Sequence, residues 1–512
     1  MLNWIKGSKS EHPFADDKGA RGVIAELPVL DPHKTIEELC YWLDTLSAAE
    51  GLKLPRVLEI IDLIDQTAKN HQRKLSVDYL SGSSRQQKVN EVRIWNSVFS
   101  FWKQLADSYQ MCVARVAEGA SGAAALKNQL PMISARAMRA LILQLKWQLI
   151  RYGPVELRVW AQMGKLYTFA EEKGFVTAPV VVYPGKFGES TIQREFLKGV
   201  MLGISSTDSL LPEKLEVAER IVAQFSEYFA MTPQLAKGSH YYMDLGENKA
   251  PARVMSRLAA TPGLRFFGPG GATRELEKLI GLVQADGVVP SYVNLGGNYD
   301  PEFVLESLRH LARYWAPTPP ARNEQRRNSV SRINVMHGFD EIVSTISGET
   351  RDLTFDGSIE VWTVENESEG GYGALMPQAK SDWLRVGTLL GVKLEDGASW
   401  GVGIVRRMSA FDHRQRYVGI QVLTKGASVV KLVPVSAVGK QESVNALLLP
   451  SNADDTNGAA EMNFLLKPGI FSPQKSMEMR AYERSYLLVP RRLLEGGHDF
   501  DMARFRVMQR AV

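Results

Sequence analysis

Four arginines lie close together in the segment 322–332, which has the sequence RNEQRRNSVSR. They are Arg322, Arg326, Arg327 and Arg332. A guanidinium group is planar and donates hydrogen bonds in pairs, which suits phosphate oxygens and the Hoogsteen edge of guanine. The cluster therefore predicts a site for a phosphate-bearing ligand, and it favours a nucleotide sensor over an enzyme.

The second candidate segment is 366–371, with the sequence NESEGG. Asn366, Ser368 and Gly371 have the spacing N-x-S-x-x-G. Asparagine and serine supply short polar groups that can hydrogen-bond a base edge, and glycine permits close approach of the backbone. Each segment alone has an ordinary interpretation, a solvated tether for the arginines and a common turn for the loop. Their occurrence together, just before and within a strand-rich stretch, points to a ligand site.

The composition is that of a globular protein, and it limits the function. The 512 residues are 45% hydrophobic and 23% charged, with a formal net charge of +4. This length predicts about three domains, and so mild a charge disfavours a nucleic-acid-binding protein. Cys40 and Cys112 lie in helical apolar patterns, so we expect reduced, buried thiols of a cytoplasmic protein. No run approaches the roughly 18 apolar residues of a membrane span, and the N-terminus lacks the apolar core of a signal peptide.

The apolar periodicity changes from helical to alternating at the proline-rich stretch 317–320. Before it, spacings of three and four residues predict helices, the longest at 89–116. After it, alternation and frequent turn residues predict short antiparallel strands. The predicted fold class is multidomain α+β, with a helix-rich N-terminal region followed by a C-terminal antiparallel β-barrel and a further β extension. The predicted boundaries are 1–30 (loosely ordered segment), 31–174 (α-helical domain), 175–316 (mixed, mostly helical α/β region), 317–332 (Pro/Arg-rich linker with the arginine cluster), 333–440 (β-barrel) and 441–512 (C-terminal β-rich extension).

The C-terminal extension leaves two arrangements open. Its strand-like runs at 462–466, 477–480 and 486–489 either extend the barrel or form a second one. A polar stretch at 451–460, SNADDTNGAA, separates these runs from the preceding strands. A short helical turn is predicted near 491–495.

The motifs of common enzymes and metal sites are missing from the sequence. The eight histidines are scattered, with no H-E-x-x-H and no C-x-x-C spacing for a metal. There is no G-x-S-x-G elbow, and the glycine-rich segment 268–271 lacks the Lys-Ser/Thr pair of a phosphate-binding P-loop. We therefore predict no catalytic residue, no metal and no cofactor, and we interpret 268–271 as a structural turn.

The arginine cluster and the N-x-S-x-x-G loop together resemble the PilZ domain, the bacterial receptor domain for cyclic di-GMP. That family carries an R-x-x-x-R motif just ahead of its first barrel strand and a D/N-x-S-x-x-G motif after it. The second motif matches at Asn366, Ser368 and Gly371. The stretches DWLRVGTLLGVKL, WGVGIVRRM and YVGIQVL are similar to the later barrel strands. The resemblance covers 322–425 and leaves the residues before 317 unexplained.

The first motif departs from the family pattern by one residue. Arg327 precedes Arg332 by five positions, whereas Arg322 and Arg326 have the family spacing but lie further from the predicted strand. Either the segment bulges by one residue and brings Arg327 into place, or the ligand site is weakened or lost. The ligand-binding residues that the resemblance implies are Arg326, Arg327, Arg332, Asn366, Ser368 and Gly371.

The resemblance implies a second-messenger receptor without enzymatic activity. Cyclic di-GMP would bind the arginines through its phosphates and guanines, reorient the domains on either side, and alter the binding of an unidentified protein partner by the N-terminal domains. Three alternatives stay open: a ligand-independent PilZ-like scaffold for protein–protein interaction, an RNA-binding protein, and an enzyme with its site in 175–316. The sequence defines neither the partner nor the oligomeric state.

Overall fold

The structure is a computed structural model that divides into two compact units, residues 1–321 and 322–512. The division falls within 317–332, where the sequence predicts a linker. The residues that the structure describes are 12–47, 49, 51–81, 85–185, 188–255, 259, 261–318, 327–348, 359–377, 383–410, 415–435, 442–449, 461–481 and 484–510. Among these residues, no helix is both long enough and apolar enough to cross a membrane.

The first unit is built mainly of helices. Its helices are α1 (Asp17–Glu26), α2 (Pro32–Ser47), α3 (Leu54–Leu80), α4 (Arg85–Ala117), α5 (Ala123–Leu126), α6 (Leu130–Ile150), α7 (Leu157–Glu172), α8 (Ile192–Gly203), α9 (Pro212–Gln224), α10 (Ala272–Asp286) and α11 (Pro301–Trp315). Its strands are β1 (Ala230–Thr232), β2 (Tyr241–Asp244), β3 (Ala252–Arg253) and β4 (Leu264–Gly268). The four strands form one antiparallel sheet in the order β1-β4-β2-β3. The predicted helix-rich N-terminal region is confirmed, with α4 as the helix predicted at 89–116.

Residues 12–30 are more ordered than the sequence predicts. Asp16 accepts a hydrogen bond from a backbone N–H three residues later and so caps α1. Phe14 is fully buried, with its ring centroid 5.3 Å from that of Trp42 on α2. Because a capping carboxylate and a buried ring anchor this stretch, the expectation of a loosely ordered segment is wrong for it; residues 1–11 lie outside the described residues.

Charged side chains are buried between helices of the first unit. Glu195 on α8 is fully buried, and its Oε1 lies 2.7 Å from both Arg139 Nη2 on α6 and Lys198 Nζ. Burial alone would raise the pKa of Glu195, but the two cations lower it to about 2. Glu195 is therefore ionised at neutral pH, and it joins α6 to α8 through a charge-paired contact.

The second unit begins with a closed barrel of six antiparallel strands. They are β5 (Arg327–His337), β6 (Glu360–Ser368), β7 (Gly371–Pro377), β8 (Leu389–Leu394), β9 (Gly401–Ala410) and β10 (Gln415–Thr424). The barrel closes in the order β10-β7-β6-β5-β8-β9. Trp362, Val364 and Val418 are fully buried, as expected where alternate residues of a strand share a face. The predicted antiparallel barrel is confirmed, although its first strand begins at Arg327, inside the predicted linker.

A second closed barrel of six antiparallel strands follows directly. Its strands are β11 (Ser428–Pro434), β12 (Val444–Leu449), β13 (Glu461–Leu466), β14 (Met477–Ala481), β15 (Arg484–Gly496) and β16 (Asp501–Gln509), closed in the order β11-β12-β13-β16-β15-β14. Of the two arrangements left open by the sequence, the structure has the second barrel. The first barrel therefore ends at Thr424, before the predicted boundary at 440. The helical turn predicted near 491–495 is wrong, because Arg492 and Leu493 on β15 pair with β16.

The two barrels share a hydrophobic interface. Helix α12 (Phe339–Ser347), which follows β5, packs at this interface with residues of both barrels. The buried members are Met336, Phe339, Ile342, Val343, Leu389, Val402, Ile404, Leu447, Leu449, Leu465 and Phe500. Beside them, the Arg406 guanidinium on β9 binds the Glu495 carboxylate on β15 through both terminal nitrogens. The second barrel thus covers strands of the first that would otherwise expose apolar side chains.

Candidate functional site

The N-x-S-x-x-G motif lies on a tight β-hairpin. Asn366 and Ser368 are near the end of β6, Gly371 begins β7, and a two-residue turn joins the strands. Ser368 pairs directly with Gly371, so adjacent strands hold all three motif residues. A Cβ at position 371 would lie 2.1 Å from the Ile420 carbonyl oxygen. Glycine is therefore required there for β10 to approach β7 so closely.

Asn366 makes a side-chain contact that local sequence patterns do not reveal. Its Nδ2 donates a hydrogen bond of 2.8 Å to Tyr417 Oη on β10. Both side chains lie against Gly373, where a Cβ would be 2.0 Å from Tyr417 Oη and 2.6 Å from Asn366 Oδ1. Asn366 Oδ1 is buried, and none of the residues that the structure describes donates to it. An acceptor buried without a donor is costly, so this oxygen is suited to accept from a ligand N–H.

The pairing of β5 with β6 is irregular between two of the arginines. Arg327 pairs with Glu367 and Arg332 pairs with Thr363, so five positions along β5 span only four along β6. The register shifts between 328 and 331, where β5 has one residue more than β6, as in a β-bulge. Strand β5 thus contains a bulge, within a strand rather than within a linker, and β6 has its own register shift against β7 between 364 and 366.

The two described arginines have exposed side chains. The Arg332 side chain is 64% exposed, and Nη1 lies 3.9 Å from Oε1 of the half-exposed Glu395. Such a solvated ion pair contributes little free energy, so it leaves the guanidinium able to bind another anion. Arg327 is also exposed, and it forms no ion pair within the described part of the chain. Arg322 and Arg326 lie outside the described residues.

Acidic residues share the hairpin with the candidate ligand-binding residues. Glu365, Glu367 and Glu369 lie on β6 or in the adjoining turn, and Glu367 is directly opposite Arg327. Burial raises the pKa of Tyr372, and the Glu367 carboxylate raises it further. A negative ligand at this edge of the barrel would therefore meet both attraction from the arginines and repulsion from Glu367.

Strands β7 and β10 carry three glycines close together, two of them directly opposite each other. Gly373 is opposite Gly419, and Gly371 is opposite Gln421. Gly419 is also opposite Arg407 on β9, whose Cβ is 3.4 Å from where a Cβ of residue 419 would lie. We call Gly371, Gly373 and Gly419 the glycine face. Alternating glycines in a strand mark close approach of a backbone or ligand, so the 371–373 sequence GYG is a signal that could have indicated this surface.

A serine, a histidine and a glutamate lie in contact in the first unit. Ser97 Oγ is 3.0 Å from His33 Nε2, and His33 Nδ1 is 3.2 Å from Glu37 Oε2, beside a cavity of about 450 Å³. Ser97 also donates to the Arg93 carbonyl oxygen within α4. Among the described residues, no three His, Cys, Asp or Glu side chains are grouped as metal ligands.

Two family models match the chain. Residues 18–234 match the N-terminal domain of the cyclic-di-GMP receptor FimW, and residues 318–428 match the middle PilZ domain of the same receptor. The first match assigns a region that the sequence alone left unrecognised, and neither match covers 429–512. No curated protein and no solved structure matches the chain. The first barrel is therefore a PilZ domain, and it follows an N-terminal domain characteristic of the FimW family of cyclic di-GMP receptors.

Proposed function

We propose that this chain is a cyclic di-GMP receptor that binds its ligand on the first barrel, between the β5 bulge and the β6–β7 hairpin. The observation that carries the proposal is the bulge. Because of the bulge, the residues of β6 that pair with Arg327 and Arg332 are four positions apart, which is the spacing of an R-x-x-x-R motif. The matches to two domains of a cyclic di-GMP receptor family support the same ligand.

The arginines would bind the phosphates and guanines. Cyclic di-GMP carries two phosphates and two guanines, so it offers anionic oxygens together with the O6 and N7 acceptors of guanine. A guanidinium donates to either in pairs and can also stack on a base. Arg327 and Arg332 lie on either side of the bulge, and Arg326 would add a third cation beside Arg327.

The hairpin would bind a guanine edge. Guanine N1–H and N2–H₂ are donors on the base, and Asn366 Oδ1 is an acceptor that no described residue satisfies. The Ser368 hydroxyl can both donate and accept, and it lies two residues further along β6. Gly371 is opposite Ser368 and lets β10 approach the hairpin closely. Asn366 and Ser368 would thus supply hydrogen bonds at one edge of the barrel, in a position that Gly371 allows the hairpin to adopt.

Ligand binding would act on a protein partner through the segment that joins the two units. The arginine cluster lies at this connection in the sequence, so a ligand that holds it against the barrel restricts the connection. A ligand shifts a conformational equilibrium only as far as it binds one state more tightly than the other. We therefore assign the output to partner binding by the first unit.

Isothermal titration calorimetry of the full chain with cyclic di-GMP tests the proposal. We expect saturable binding by the wild type and at least ~10-fold weaker binding by Arg327→Ala and Ser368→Ala, since a hydrogen bond to a charged group is worth about 1.5–3 kcal/mol. Arg484→Ala changes an exposed arginine of the second barrel and serves as the matched control, with unchanged affinity. Wild-type protein that binds no nucleotide, by calorimetry and by equilibrium dialysis, would refute the proposal.

A ligand-independent scaffold is the second candidate. The observation in its favour is the position of Glu367 directly opposite Arg327, where its carboxylate competes with a phosphate. This function predicts that a partner recovered with the wild-type chain is recovered equally with Arg327→Ala and Ser368→Ala, with and without cyclic di-GMP. If recovery of the partner depends on cyclic di-GMP and is abolished by these substitutions, the scaffold function is excluded.

A further inference from the structure

We propose that the second barrel, residues 428–509, is another PilZ-type barrel that has lost its ligand face and acts as a scaffold for the first. The loss of the ligand face rests on the proposed function, whereas the scaffold role does not. The family match to the PilZ domain ends at 428, so the inference depends on the connectivity, register and side chains of β11–β16.

The two barrels have the same connectivity. With the strands of each barrel numbered 1 to 6 in chain order, both have the neighbours 1–2, 2–3, 3–6, 6–5, 5–4 and 4–1, and every pair is antiparallel. The pairs in the first barrel are β5–β6, β6–β7, β7–β10, β10–β9, β9–β8 and β8–β5. The pairs in the second are β11–β12, β12–β13, β13–β16, β16–β15, β15–β14 and β14–β11.

The register of the third and sixth strands shows which residues correspond. In the first barrel Gly371, the first residue of its strand, pairs with Gln421, and Gly373 pairs with Gly419. In the second barrel the first residue of the third strand also pairs with the sixth strand, and the equivalent pairs are Glu461 with Arg506 and Asn463 with Arg504. Glu461, Asn463 and Arg504 therefore occupy the three positions of the glycine face.

These three residues form a network of charged and amide side chains, whereas the equivalent positions of the first barrel are glycines, with the hydrogen-bonded Asn366 and Tyr417 side chains lying against Gly373. Arg504 Nε donates to Asn463 Oδ1 at 3.0 Å, and Arg504 Nη1 lies 3.8 Å from Glu461 Oε2. The other oxygen of Glu461 is 3.4 Å from Arg491 Nε. Charged and amide groups thus satisfy one another across this surface, at positions that carry no side chain on the first barrel.

The sequence motifs of the ligand site are also missing around the second barrel. Only residues 425–427, Lys-Gly-Ala, separate β10 from β11, so no arginine segment precedes its first strand. The connection between its second and third strands, 450–460, has the sequence PSNADDTNGAA and contains no D/N-x-S-x-x-G. This barrel therefore has the connectivity of the first without the residues proposed to bind the nucleotide.

The interface with the first barrel gives the second barrel a scaffold role. Ile404 and Val405 are neighbours on β9, and both are fully buried, although successive side chains of a strand point to opposite faces. Ile404 belongs to the apolar cluster that also contains Leu465 and Phe500 of the second barrel. One face of β9 is therefore buried in a cluster that α12 and the second barrel complete, and we expect the order of β9 to depend on that cover.

Equilibrium dialysis of radiolabelled cyclic di-GMP against the full chain tests the lost ligand face. We expect the double variant Arg327→Ala/Ser368→Ala to lose all saturable binding and Arg504→Ala to bind within twofold of the wild type. Saturable binding that survives in the double variant and disappears with Arg504→Ala would show that the second barrel binds nucleotide, and would overturn this half of the proposal. A wild type that binds nothing would refute the proposed function instead.

Hydrogen exchange of the nucleotide-free chain tests the scaffold role independently. Phe500→Leu removes volume from the shared cluster, and we expect exchange in β9 to become ~10-fold faster. Met479→Leu is the matched control, because Met479 is buried in the separate core of the second barrel, and it should leave β9 unchanged. Exchange in β9 that does not respond to Phe500→Leu would overturn the scaffold role.

Discussion

Exchanging Arg327 and Asn328 separates spacing along the chain from register along the strand. The double variant Arg327→Asn/Asn328→Arg restores R-x-x-x-R relative to Arg332 and leaves composition and net charge unchanged. In the observed register, however, position 328 is opposite Asn366 and position 327 is opposite Glu367. Residues directly opposite each other share a face of the sheet, so the exchange would move the guanidinium from the face of Glu367 to the face of Asn366.

The size of the effect follows from the contact that is lost. A hydrogen bond from a guanidinium to a phosphate contributes about 1.5–3 kcal/mol, and 1.4 kcal/mol corresponds to a tenfold change in affinity. Arg327→Ala should therefore weaken cyclic di-GMP binding ~10- to ~150-fold, and the exchange variant should bind more tightly than Arg327→Ala, because its guanidinium lies opposite Asn366. Positions 327 and 328 are both exposed, so the free energy of unfolding should change by less than ~0.5 kcal/mol.

Calorimetry at one fixed salt concentration measures the prediction, with urea unfolding as the check on stability. The wild type, the exchange variant and Arg327→Ala are compared in the same buffer. If the exchange variant binds no more tightly than Arg327→Ala, a guanidinium opposite Asn366 does not contact the ligand. The proposed site between the β5 arginines and the β6–β7 hairpin would then be refuted.

Three other substitutions test the electrostatics and packing of the two units. Glu367→Gln should tighten nucleotide binding about twofold at low salt, measured by calorimetry. A carboxylate about 8 Å from a phosphate costs ~0.5 kcal/mol in water, so the substitution removes a repulsion that opposes the attraction by Arg327. Gly371→Ala should lower the free energy of unfolding in urea by about 1–3 kcal/mol, since the new Cβ would lie 2.1 Å from the Ile420 carbonyl oxygen. Glu195→Gln should lower the melting temperature at neutral pH. Because the pKa of Glu195 is lowered from 4.5 to about 2, its stabilisation is present above pH 4.5 and is lost as the pH falls toward 2.

The substitutions of Gly371 and Glu195 each have a comparison that isolates the cause of their effect. Gly426→Ala places a Cβ 3.8 Å from its nearest neighbour, Ser399 Oγ, and should leave the stability of the second unit unchanged. Glu275→Gln removes a solvated carboxylate paired with Lys278 and should alter melting little at any pH. Equal destabilisation by the two glycine substitutions would contradict the packing argument. A difference between wild type and Glu195→Gln that persists unchanged at pH 2 would contradict the pKa argument.

Features that depend on a few neighbouring residues could be predicted from the sequence. The change from helical to alternating periodicity at 317–320 indicated the strand-rich region, because side-chain period follows directly from backbone geometry. The motif at 366–371 is local in the same way, and its residues do lie together on one hairpin. The short helical turn near 491–495 was a wrong prediction, since pairing with β16 outweighs the local preference of that stretch.

Features that depend on strand pairing could not be predicted. The bulge in β5 becomes visible only when Arg327 and Arg332 are matched to their partners on β6, since spacing along one strand does not determine register. The bond between Asn366 and Tyr417 joins residues on different strands, 51 positions apart. The second barrel has the connectivity of the first without a matching motif, so a search for repeated sequence misses it.

The contrast between the two barrels supports reading the glycine face as a ligand surface. On the second barrel, Asn463 Oδ1 accepts a hydrogen bond from Arg504, and Glu461 lies beside two guanidinium groups. On the first barrel, Asn366 Oδ1 is buried beside glycines and accepts from no described residue. Two surfaces with the same connectivity thus differ in whether the chain satisfies its own polar atoms. Because leaving a buried acceptor unsatisfied costs about 1–3 kcal/mol, the first surface gains most from a ligand that supplies the missing donor.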